Sequence, residues 1–361
     1  MVVAAHTRAR VRDDIVRLVH RELDVHQLVV AVGRSLRKAV PFDGTCLLTI
    51  DPATLLPTGE VVENGLPPAA TTRLTEIELR EPDLNKFTAL AHARVPAASL
   101  SAATGGDLDR SLRQRELRRP NGFADELRAV LTGPGGSWGA LTLLRMSTRP
   151  AFAPADVRFV ASLGPVLADG IRRATLRAHV APGHGDCADT GLLVIAPDDS
   201  VEVMNPSAER WIDELTTAAC GPLPVAVRAV VAQTRRVAAT GETVASARVH
   251  TRAGRWLMVR GSLVGDDRVS VLLEAARPAE LAAAIADTYG LTDRERAITG
   301  LVAHGLTTAE IADRLHLSAY TVQDHLKAIF DKSGTGSRGE LVARLFLDHH
   351  LPQLLAGTLS R

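Results

Sequence analysis

The chain has 361 residues, of which 46% are hydrophobic and 23% charged, with a formal net charge of +1. That is ordinary for a soluble globular protein and long enough for two or three domains with real cores. No apolar run approaches the roughly 18 residues of a membrane span, and the N-terminal MVVAAHTRARVRDD lacks an apolar signal segment, so neither membrane insertion nor export is expected and a cytoplasmic location is. Cys46, Cys187 and Cys220 are odd in number, far apart and without CxxC spacing, which suits reduced thiols rather than disulfides or zinc.

The first unit spans residues 1–179. Val11, Ile15, Leu18 and Val19, then Val25, Leu28, Val29, Val32 and Leu36, follow helical spacing up to Pro41. Strand-like Thr45 to Ile50 comes next. Downstream, ADELRAVLTG and WGALTLLR flank a Pro-Gly-Gly turn and predict a hairpin whose strands end a sheet, followed by a helix from about Pro154 to His179. Within this unit the basic run Arg110 to Arg119 could touch nucleic acid or nucleotide, but its pattern with Glu116 favours a solvated helix. Asn85, Lys86 and Phe87 read as a helix surface carrying one core aromatic.

The Gly- and Asp-rich APGHGDCADTG marks a boundary near residue 185. A second unit, 187–276, begins with strand, Asp-Asp turn, strand and a helix opening near Pro206; its second half reads as three strands separated by Ala-Gly and Gly-Asp-Asp turns. From residue 278 to 361, a connector helix with Pro278 near its first turn leads into four short helices.

The helix starts of this last unit are written in the sequence. Thr292 with Glu295, Thr307 with Glu310 and Ser337 with Glu340 fit the capping box, in which a hydroxyl and a carboxyl serve two free backbone N–H groups. Leu306 with Ile311 and Leu317 with Val322 are spaced as hydrophobic staples, and Ser318 is placed to cap the third helix. Only His316 and Leu317 separate the second helix from that cap, the tight turn of a helix-turn-helix. In the third helix Val322, Leu326, Ile329 and Phe330 form a buried stripe, while Thr321, Gln323, Asp324 and Lys327 point away. Gln suits adenine, Asp the N4 amino group of cytosine, and Lys guanine or phosphate.

These residues carry a resemblance. LTDRE, AxGLTTAEIADRL, LSAYTVQDHLKAIFDKSG and SRGEL look like the LuxR-type helix-turn-helix domain of bacterial transcription regulators. The resemblance implies that Gln323, Asp324 and Lys327 occupy base-contacting positions, and that Thr321, His325, Lys332 and Arg338 contact the DNA backbone or support the domain. A basic residue is usual where Gln323 stands, so no known site preference transfers. The order of elements in the first unit, with VPFDGTCLLTID and WGALTLLR, resembles a GAF domain; the second unit, with Asn205 and Trp211 at its strand-to-helix junction, resembles a PAS domain. The implied fold class is multidomain: two α+β sensor-like domains and an all-α DNA-binding domain.

From Thr288 to Arg361 eight basic residues face eight acids, so the domain is neutral. Phosphate neutralisation supplies most non-specific affinity, so one copy is expected to bind weakly, and a homodimer on double-stranded DNA is the expected state. Val157, Val160, Leu163, Leu167 and Ile171 offer a stripe for dimerisation or for packing onto the first unit's own sheet. No P-loop is present, Asp13 and Asp14 sit in an Arg-rich helical pattern rather than after a strand, which argues against a phosphoacceptor receiver domain, and no metal-spaced histidine pair or nucleophile–base constellation is found. The expected function is a DNA-binding transcription regulator that is not an enzyme and has no cofactor, governed by a small-molecule effector or a partner. The competing reading is a protein-interaction module that has lost DNA affinity, favoured by the neutral charge and Asp324.

Overall fold

The computed structural model describes residues 2–133, 136–177, 190–216, 221, 223–238, 244–265, 267–276 and 289–346. The boundary expected near residue 185, the Pro278 connector, Cys187 and Cys220 lie outside the described residues.

Two helices, α1 (Val2–Val19) and α2 (Val25–Leu36), open the chain and bury the apolar stripes expected of them; Asp24 and Gln27 close a capping box at the start of α2. The first sheet contains β1 (Gly44–Ile50), β2 (Pro57–Glu63), β3 (Ala97–Ser99), β4 (Phe123–Gly133) and β5 (Gly136–Met146), all antiparallel, in the order β2-β1-β5-β4-β3. Three helices, α3 (Thr71–Leu79), α4 (Phe87–Ala91) and α5 (Leu100–Thr104), punctuate the connections between β2 and β4. The helix α6 (Pro154–Arg177) follows β5.

The hairpin forms as expected, but its strands lie inside the sheet, between β1 and β3, rather than ending it. Their almost unbroken burial has a physical reason: α6 packs on β4 and β5, while α4 also packs on β4. The stripe on α6 is spent in the same way. Val160, Leu163, Leu167 and Ile171 are buried in one core with α1, α2 and the sheet.

The run Arg110 to Arg119 departs from the solvated helix expected of it. Gln114–Arg118 is one turn of π-helix, and Arg113 and Arg118 are buried. Arg113 donates to Asp83 and Glu126, each at 2.8 Å, and Arg118 donates to Glu126 at 3.1 Å. Arg128 pairs with Glu78 at 2.8 Å and lies over the Phe87 ring, 3.6 Å from its centroid. The partners sit on α3, the loop after it and β4, so the run could not display them. Burial alone would raise the Glu126 carboxyl, yet Arg113, Arg118 and Arg128 hold it well below the usual carboxylate range. The neighbouring Asn85 takes a left-handed backbone, with φ 53°, and Lys86 reaches the Glu81 carbonyl, so this triplet starts a helix rather than lying on a helix surface. Phe87 is the core aromatic expected.

The second sheet repeats the topology of the first. Its strands are β6 (Gly191–Ile195), β7 (Val201–Met204), β8 (Val244–His250), β9 (Trp256–Val264) and β10 (Arg268–Ala275), in the order β7-β6-β10-β9-β8. Numbered within each unit, both sheets run second, first, fifth, fourth, third. Asn205 caps α7 (Pro206–Leu215) through its side chain, with Pro206 at the first helical position, and Trp211 is fully buried. The sequence reading passed over α8 (Val225–Ala238), whose near-continuous apolar face lies on β8 and β9. A side chain at Gly261 of β9 would stand 2.2 Å from the Thr234 hydroxyl, which explains the glycine.

The two sheet domains share buried structure. Leu56 and Leu79 of the first join the core of the second. Asp51 accepts from Arg248 Nη2 at 2.6 Å, Nε at 3.1 Å and backbone N–H at 3.0 Å, and Glu60 accepts from Arg228 at 2.6 Å. Trp256 and Met258 of β9, with Ala276, in turn join the core of the C-terminal helices.

Candidate nucleic-acid interface

The C-terminal helices are α9 (Asp293–Ala303), α10 (Thr308–Leu315), α11 (Ala319–Ser333) and α12 (Arg338–Phe346). Complete capping boxes stand at Thr292 with Glu295 and at Thr307 with Glu310. The third is half a box. The Ser337 hydroxyl accepts from Glu340 N–H, but the Glu340 carboxylate reaches Gly336 N–H, one residue before the cap.

Between α10 and α11 the chain turns within His316 and Leu317. His316 is left-handed, with φ 52°, and Leu317 N–H returns to the Ala312 carbonyl at 2.9 Å, a Schellman closure of α10. Ser318 then caps α11, accepting from Thr321 N–H at 3.0 Å. Leu306, Ile311, Leu317 and Val322, the residues of the two staples, all belong to one core with Leu326 and Ile329.

Burial of Val322, Leu326 and Ile329 fixes the rotation of α11. Gln323, Asp324 and Lys327 are exposed together on the opposite face, with Thr321 and His325 half-buried at its edges. Tyr320, 73% exposed, extends that face by one turn at helical spacing from Gln323, Asp324 and Lys327. The sequence reading left it out, although the same spacing would have found it.

Lys332 and Arg338 are occupied within the domain. Lys332 Nζ donates to Glu295 at 2.6 and 2.9 Å, tying the end of α11 to the start of α9. Burial would raise the Glu295 carboxyl, but Lys332 and the Thr292 cap hold it below its ordinary value. Arg338 bridges the Leu306 carbonyl and the Thr308 hydroxyl, both at 2.8 Å, and Arg294 donates to the Leu315 carbonyl at 2.6 Å, closing α10. Arg296 pairs with Asp293. Among the described side chains of the domain, Arg314 and Lys327 are the basic residues with no partner inside the fold.

No group of three or more potential metal ligands occurs among the described residues, and none of their helices is long and apolar enough to cross a membrane.

Comparison with known proteins gives a match over the C-terminal helices. Residues 290–345 match the bacterial regulatory proteins of the luxR family. The response regulator Rre1 of Synechocystis sp. is 42% identical over 62 residues, which cover 17% of this chain and 26% of that protein. The DNA-binding transcriptional activator DevR/DosR of Mycobacterium tuberculosis is 43% identical over 49 residues, covering 14% and 23%. The chain therefore spans roughly a quarter of the length of these curated relatives. Among solved structures, Escherichia coli SdiA aligns with 94% of this chain and 98% of its own at 14% identity, but with a TM-score of only 0.34. A score that small says nothing about the arrangement of the domains. With the sequence match and the capped two-residue turn together, residues 290–345 are a helix-turn-helix domain of the luxR family of bacterial regulatory proteins.

Proposed function

We propose that the protein is a sequence-specific DNA-binding transcription regulator of the cytoplasm, acting as a homodimer, with its two sheet domains as GAF-like and PAS-like sensors. The exposed stripe of Tyr320, Gln323, Asp324 and Lys327 on a helix-turn-helix carries the reading. Gln323 pairs with adenine, Asp324 accepts from cytosine, Lys327 takes guanine or phosphate, and Thr321 and His325 flank them at the backbone. Lys332 and Arg338 hold the helices that present this face. The repeated strand order, with helices between the second and third strands, supports the sensor reading.

With Arg314 and Lys327 the basic residues left unpartnered, each copy neutralises few phosphates, and pairing two copies doubles them. The stripe on α6 is already buried, so the dimer surface lies elsewhere.

Selection of bound sequences from random DNA by the full-length protein tests this. An enriched inverted repeat is expected; no enrichment would favour the protein-interaction reading, for which the neutral charge and Asp324 speak. On the selected site Lys327→Ala is expected to weaken binding by about 1 to 3 kcal/mol, whereas Asp324→Ala raises affinity and relaxes preference at one base pair.

A further inference from the structure

Among the described residues ten large hydrophobic side chains are exposed, and six of them, Leu192, Val201, Val203, Met204, Val264 and Leu272, belong to the second sheet. Register places the centre of this patch on the face away from α8. Leu192 of β6 stands opposite Leu272 of β10, and Val194 opposite Val203 of β7, while the alternate residues Leu193, Val271 and Leu273 are fully buried in the core with α8. The free edge of the sheet is β7, so Val201 and Met204 widen the patch there. The same face continues into an interface already made. Arg260 of β9 stands opposite Leu272, and two residues before it on that strand Met258 is buried in the core of the C-terminal helices, with Trp256 packed against that core. Those helices cover one end of the face and leave Leu192, Val203 and Leu272 exposed. Contiguous exposed apolar side chains mark an interaction site.

We infer that the uncovered part of this face is where a second copy of the chain docks, forming the dimer before DNA is met. Charge selects the occupant. Two ion pairs border the patch, Arg268 with Glu202 at 2.9 Å and Arg260 with Glu274 at 3.0 Å, and both are partly exposed. A strongly acidic or strongly basic partner would set a like charge against one member of each pair. A second copy, turned by a two-fold axis, brings the same two signs and can set each arginine near the other copy's glutamate. Because the patch adjoins the C-terminal helices, such an axis brings the two helix-turn-helix domains near each other, as an inverted repeat requires. The inference rests on the homodimer of the proposed function, and it is measured without DNA, so it can fail while a selected inverted repeat stands.

Sedimentation equilibrium of the full chain at micromolar concentration, with no DNA present, tests it. The wild type is expected to be a dimer. Val203→Arg, which a two-fold axis introduces twice into the interface, should raise the dissociation constant about a hundredfold. Val95→Arg, the same change at a comparably exposed valine of the first sheet domain, should leave it unchanged. Leu272→Arg, on the central strand β10, should act as Val203→Arg does and serves if that variant fails to fold. A monomeric wild type would overturn the inference and leave the face to a partner of another kind. So would a dimer that Val203→Arg and Leu272→Arg leave intact, or one that Val95→Arg weakens equally. If such a protein still selects an inverted repeat, the DNA-binding reading stands and the dimer surface lies away from this sheet.

Discussion

The two sheet domains share one strand order but have opposite interiors. In the first, the space between β4 and the helical layer around α3 is closed by charge: Arg113, Arg118 and Arg128 interlock with Asp83, Glu126 and Glu78. In the second, the helix facing the sheet is apolar, with Val227, Val230 and Val231 of α8 buried against strand residues such as Val249, Leu257 and Val259. Strand order is thus indifferent to what fills the layer between sheet and helix. The first domain is sealed by buried ion pairs and the second by apolar packing.

The sharpest way to break this contrast is Glu126→Ala. Removing the carboxylate leaves Arg118 buried without its ion-pair partner and Arg113 with Asp83 alone, and a loss of about 3 to 5 kcal/mol is expected in chemical denaturation. A loss below 1 kcal/mol would mean that water reaches the cluster.

Acid should separate the domains next. His250, on β8, is pushed down to about 4 by burial. Its unfolded counterpart takes up a proton near pH 6.5, so the stability it contributes is complete above that pH and is lost as pH falls toward 4, amounting to at most about 3 kcal/mol. Glu126 is also depressed, so its contribution is present above the ordinary glutamate range and is lost only at more acid pH. The second domain is therefore expected to loosen first between pH 6.5 and 4, and His250→Gln to remove that dependence. Loosening of the first domain first would reverse the assignment.

A third measurement compares the sheet domains with the C-terminal helices. With about two phosphates neutralised per copy, the slope of log affinity against log salt should be about −2 for one copy and −4 for a dimer. A slope near −8 would show that residues outside the helix-turn-helix grip DNA. The smallest effect is expected at a cap: Thr307→Ala should cost about 1 kcal/mol by freeing Glu310 N–H at the start of α10.

The C-terminal domain was the most legible region because its signals are local. A cap, its partner three residues on and a staple lie within one helical turn, so Thr292, Thr307 and Ser318 stand where the spacing put them. The exposed trio of Gln323, Asp324 and Lys327 followed from the period of α11 alone. The occupation of Lys332 by Glu295, 37 residues away, did not, because an ion pair at that separation leaves no trace in local pattern. Strands β1 and β4 to β10 were readable from turns and alternation, yet which strand sits inside a sheet depends on what covers its faces. For the same reason Arg113 and Arg118 looked solvated. The helix α8 escaped notice because burial around nearly all its circumference blurs the 3.6-residue period on which recognition depends.

The sequence by itself determined the helix starts, the tight turn, the orientation of α11 and the neutrality of its domain. All of these depend on residue type and short spacing. Only the tertiary structure decided that the α6 stripe is buried, that the basic run closes a core and that Arg228 of the second sheet domain is buried against Glu60 of the first. Those features depend on partners brought together from 8 to 168 positions apart, where burial turns a charge from a surface group into one that must be matched.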